Sequence, residues 1–180
     1  MAAWQALAKA GLLALTLPGW LGGEGLGVLE AAVLLTEVGR RAADVPALAT
    51  IMLGTLPVVR WGDRGLADRV LAGIGEGETI LTAAVRERSS GMPGVPATIA
   101  VLDRTGAGTV TGTKVGVPFA GRASWILVPT AVAGRGNNAH AATRRGSVRE
   151  RSIHTCPYAA SSVSGAGRAR DADPASGSCL

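Results

Sequence analysis

The sequence predicts an α+β protein in three parts: an α-helical amino-terminal domain over residues 1–76, an incomplete antiparallel β-domain over 77–132, and a disordered basic tail over 133–180. Three observations lead there. Apolar residues recur at helical spacing through residue 76. From Gly77 onward short, β-branched-rich runs alternate with glycine and proline turns. After Val132 the usage collapses to Ala, Gly, Ser and Arg, and residues 133–180 hold only four large aliphatics, Val148, Ile153, Val163 and Leu180. So little apolar surface cannot offset an ordering cost of about 1–2 kcal/mol per residue.

Trp4, Leu7, Ala8 and Leu12 predict a short first helix over 2–13, with Gly11 near its end. The run to Leu17 stops at Pro18-Gly19. Residues 21–27 then carry four glycines (Gly22, Gly23, Gly25, Gly27) and predict a flexible loop. A second helix begins at Val28, with Leu29, Val33 and Glu37 on one face and Leu34, Leu35 and Val38 widening the apolar stripe; Leu29, Val33 and Leu34 are expected in the core. It fades at Gly39-Arg40-Arg41, where cations suit a carboxyl end and, like Glu37, are expected to be solvated. Pro46 opens a third helix running towards Leu56, and Leu66–Leu71 form a fourth. Strands are predicted at 79–85, 98–102, 109–112 and 125–128.

Charge and chemistry narrow the function. Residues 1–132 carry 11 basic and 10 acidic side chains, so +4 of the net +5 belongs to the tail. The basic pI is therefore no sign of nucleic acid or membrane binding by the folded part. Cys156, Cys179, His140 and His154 all lie in the tail. Residues 1–132 thus have no thiol or imidazole, which excludes Cys/His dyads, Ser-His-Asp triads and most zinc sites there. The four tail residues fit no standard zinc spacing. A cysteine-free body, an amino terminus without a basic n-region, and a longest apolar run (45–59) too short to span a bilayer point to the cytoplasm. Gly23-x-Gly25-x-Gly27 superficially matches a dinucleotide loop, but Glu30 takes the third glycine place, and a plain helix connection is the better reading.

Taken together, Leu7-x-x-x-Gly11, the apolar stretch ending at Pro18, Gly22-Gly23-Glu24-Gly25 and Glu37-Val38-Gly39-Arg40 resemble the amino-terminal helical domain of acyl-CoA dehydrogenases. Gly77-Glu78 matches the turn into that family's β-domain, and Gly112-Thr113-Lys114 its G-x-K strand pair. The resemblance covers residues 4–128. It implies a helical domain, a central β-domain and a second helical bundle. It also implies α,β-dehydrogenation of an acyl-CoA thioester, with FAD as hydride acceptor and a glutamate base.

By the same resemblance Val85 and Glu87 stand on the flavin strand and are its candidate cofactor-binding residues. Arg86 and Arg88 occupy the threonine and proline places of its Thr-Glu-Pro, and residues 89–93 replace a Gly-Ser-Asp turn. Gly116-Val117-Pro118 stand where the family has Trp-Ile-Thr. The base and the carboxy-terminal bundle have no counterpart, Met1 falls inside the helical domain, and the change of usage near Val132 is that of a reading-frame shift. The expected protein is an acyl-CoA dehydrogenase-like chain, incomplete and inactive alone. The alternatives are a non-catalytic partner subunit in a homo- or hetero-oligomer, or a helical interaction module.

Overall fold

The computed structural model describes residues 1–88, 95–102, 107–132, 139–144 and 153–159. Four α-helices form one layer: α1 (Ala2–Lys9), α2 (Val28–Arg40), α3 (Leu56–Trp61) and α4 (Arg64–Val70). A π-helix at Leu48–Thr55 runs straight into α3. Six strands form the other layer: β1 (Leu81–Ala83), β2 (Ile99–Leu102), β3 (Ala107–Gly112), β4 (Trp125–Val132), β5 (Ala139–Arg144) and β6 (Ile153–Ala159).

Helix ends follow their sequence signals. The Glu30 carboxylate reaches back to accept from the Gly27 N–H at 3.0 Å, which satisfies a donor at the start of α2. Asp63 caps α4 by accepting from the Leu66 N–H at 2.7 Å. The loop expected to be flexible is instead stitched down: Gly25 N–H donates to Leu17 O and Leu26 N–H to Leu15 O, both at 2.8 Å. Gly23 is what permits this, because a Cβ there would lie 2.1 Å from the Leu17 carbonyl oxygen.

Leu34 and Ala31 bury the inner face of α2, but Leu29 is 73% and Val33 63% exposed, against the expectation that both are core. The signal against it was on the same face: Glu37 shares the Leu29–Val33 stripe, and that stripe turns to solvent. Trp4 is fully buried and its indole N–H donates to Gly77 O at 3.0 Å, beside Gln5 Nε2 at 3.1 Å. The first helix thus holds the turn where the chain passes from helices to sheet. The π-helix lies against β1 so closely that a Cβ on Gly54 would sit 2.6 Å from Leu81 Cγ.

The sheet is mixed, not antiparallel as expected. β1 and β2 both pair with β4 in parallel, while β2–β3, β3–β6 and β4–β5 are antiparallel. Short turns between neighbours imply antiparallel pairing of consecutive strands, and only β2–β3 and β4–β5 have that form. The chain from β1 to β4 is long enough for the crossover that parallel pairing requires. The tail also departs from uniform disorder: β5 and β6 lie within it, registered as Trp125↔Arg144 and Val110↔Cys156 among other pairs. Backbone pairing to open strands needs no large aliphatic side chains, so composition did not reveal it. The rest of the tail, Cys179 included, lies outside the described residues, as do residues 89–93.

Candidate functional site

Beyond β1 the chain stays extended. Ala84 N–H donates to Leu127 O at 2.8 Å, continuing the pairing with β4, and two residues later Glu87 bridges Lys114. Val115 N–H donates to Arg86 O at 2.9 Å. The two segments that the resemblance assigned to the flavin, 85–88 and 116–118, are therefore neighbours in space although some thirty residues apart in the chain.

At their junction is a buried ion pair. Lys114 Nζ donates to Glu87 Oε1 at 2.6 Å, with side chains 2% and 3% exposed. The ammonium also donates to Pro129 O at 2.8 Å. Glu87 accepts further from the Ala97 N–H (2.6 Å), the Thr98 N–H (3.0 Å) and the Thr98 hydroxyl (2.5 Å). Burial alone would raise the Glu87 carboxyl. The Lys114 ammonium, the Thr98 hydroxyl and the two backbone N–H groups outweigh it and hold the group at about 2, from an ordinary 4.5. Burial pushes Lys114 down, opposed by its attraction to Glu87. Desolvating two charges is costly unless their remaining hydrogen-bonding capacity is met, and here two further segments, Ala97-Thr98 and Pro129, contribute to it.

Glu87, a predicted flavin contact, thus has both carboxylate oxygens bound within the protein. Val85 is half-buried beside it and packs against the Leu17, Leu71 and Leu81 cluster. Sequence reasoning missed Lys114 as its partner and Thr98 as its second donor. The available signal was weak: a glutamate just beyond one predicted strand and a lysine just beyond another, each able to turn inward only with a counter-charge.

Arg86 is exposed, and its Nη1 lies 3.6 Å from where a Gly116 Cβ would stand; Gly116 itself has φ +61°. The Thr82 hydroxyl donates to Pro118 O at 2.8 Å and fixes the loop beyond. Elsewhere, an open cleft of about 340 Å³ lies between α1 and the glycine loop, lined by Gln5, Lys9, Leu21 and Glu76 among others. Among the described residues no group of three His, Cys, Asp or Glu could hold a metal. No helix there is long and apolar enough to cross a membrane.

Residues 1–78 match the family model of the acyl-CoA dehydrogenase N-terminal domain. The chain carries an acyl-CoA dehydrogenase amino-terminal region. It is 46% identical over 125 residues to acyl-CoA dehydrogenase FadE28 of Mycobacterium tuberculosis, an alignment covering 69% of this chain and 35% of that protein. Its fold matches a variant of the Tcur3481-Tcur3483 steroid ACAD with a TM-score of 0.75 at 29% identity, over 88% of this chain and 46% of that one. The ChsE4-ChsE5 complex from Mycobacterium tuberculosis follows at 0.69 and 28%, over 80% and 38%. The chain spans about a third of the length of the curated relatives it matches.

The flavin that this family implies does not fit the residues present. The place of the stacking aromatic is Gly116, the hydroxyl-bearing places are Arg86 and Pro118, and the Arg86 guanidinium stands over Gly116.

Proposed function

We propose that the chain serves as a non-catalytic subunit in an acyl-CoA dehydrogenase assembly in the cytoplasm, one that removes hydrogen from the α and β carbons of acyl-CoA thioesters. Another subunit supplies the flavin and the base. The observation that carries this reading is the internally satisfied Glu87, with Arg86 rather than a hydroxyl beside Gly116: the frame of the family's site is present without the groups that would use it. Similarity to the ChsE4-ChsE5 complex and to a steroid ACAD supports a hetero-oligomer and a substrate whose acyl chain is attached to a steroid skeleton. The near-neutral charge of residues 1–132 argues against nucleic acid as partner.

The test is co-expression with a full-length acyl-CoA dehydrogenase from the same source, followed by affinity purification through this chain. Expected is a yellow complex that reduces an artificial electron acceptor in the presence of a steroid acyl-CoA, and a colourless chain without turnover when expressed alone. Turnover by the isolated chain, or failure to join any such dehydrogenase, overturns the reading.

A further inference from the structure

We propose that Arg86 is a plug: its guanidinium closes the flavin-ring position of this chain, and removing it opens that position. The inference deepens the reading above and rests on it for where a flavin would lie, but it assigns the exclusion to one side chain. Three observations on that side chain and its surroundings support it.

The backbone of Arg86 cannot be swung aside. Its carbonyl accepts from Val115 N–H at 2.9 Å, and the next residue, Glu87, is anchored through Lys114, Thr98 and Ala97. Whatever residue 86 carries therefore starts from the same point beside the 115–116 backbone. That space lies over Gly116, whose missing side chain leaves room that Nη1 approaches to 3.6 Å of a Cβ position. Finally, the Thr82 hydroxyl donates to Pro118 O at 2.8 Å and ties the far side of the loop to β1. A guanidinium is planar and carries five donors that it keeps hydrated or paired, whereas a tricyclic ring needs an uninterrupted flat surface.

Arg86→Thr is the decisive variant, because residue 86 is exposed. FAD is titrated into the full chain, and binding is read as quenching of flavin fluorescence and as a rise in unfolding temperature. Wild type is expected to give neither. Arg86→Thr is expected to bind at least about tenfold more tightly than wild type. Arg88→Ala, an exposed neighbour, is expected to behave as wild type. Wild type that takes up FAD as tightly as Arg86→Thr sinks the proposal, and so does an Arg86→Thr protein of unchanged fold, by circular dichroism, that stays as flavin-free as wild type. A chain that binds FAD alone yet still assembles with a dehydrogenase breaks this inference and leaves assembly intact. A flavin-free chain that assembles with nothing breaks the functional reading instead.

Discussion

The helical layer and the β-layer are fastened in different ways. Around Trp4, Leu13, Ile51 and Leu71 the helices are held by apolar area removed from water, a non-directional force that spreads over many neighbours. In the β-layer the strands that matter to the candidate site converge on a single buried charge pair, Glu87–Lys114, and on the Thr98 and Pro129 groups that satisfy it. Loss of one apolar contact leaves a cavity that the surroundings partly refill. Loss of one member of the pair leaves a buried charge without its counter-charge, and the neutral groups that remain around it compensate only in part. The same burial that stabilises one layer makes the other brittle.

That contrast can be broken most severely at Lys114. Lys114→Met strands the Glu87 carboxylate and is expected to cost about 3–5 kcal/mol in urea unfolding, while the double variant with Glu87→Gln recovers most of it. Equal losses in the single and double variants would mean that the pair contributes no more than its packing. Trp4→Ala is expected to cost a similar or slightly smaller amount, about 3–4 kcal/mol, through its cavity and the lost bond to Gly77 O. The distinguishing mark is pH: the Trp4 loss is the same at pH 7 and pH 3.

The ion pair gives acid sensitivity of its own. Because the folded Glu87 titrates at about 2 and its ordinary value is 4.5, its contribution is complete above 4.5 and is lost as the pH falls towards 2. The difference corresponds to roughly 3 kcal/mol. Glu87→Gln should flatten that part of the stability curve, and an unchanged curve would remove Glu87 from the account. The smallest expected effect lies on the outer face of α2, where Leu29→Ser and Val33→Ser should each change stability by no more than about 0.5 kcal/mol, since both side chains already face water. A larger loss would mean that this face is covered in solution.

Much of the helical layer was legible from spacing alone, because α1, α2 and α4 each combine a 3.6-residue repeat with a glycine or charged terminus. The helix opened by Pro46 was read towards Leu56, and the structure carries the helical backbone on through Pro57, which stands in the first turn of α3. The strands were found near their observed positions, but their directions were not, since parallel pairing of β1 with β4 is set by a crossover and not by any local turn. At the candidate site, the resemblance brought 85–88 and 116–118 into one discussion and the fold brings them into contact. What stayed hidden was that Glu87 faces inward. A period-two pattern gives the two faces of a strand, but three successive charges, Arg86-Glu87-Arg88, do not say which face has a counter-charge waiting.

Gly54 has a mechanical meaning. Where it meets Leu81, helix and strand are separated by less than a side chain, so nothing compressible lies between the layers there. Leu81 opens the strand whose continuation carries Arg86 and Glu87. A push on that strand from a docking subunit would pass into the π-helix at Gly54 without being absorbed, and the two layers would shift as one body rather than slide.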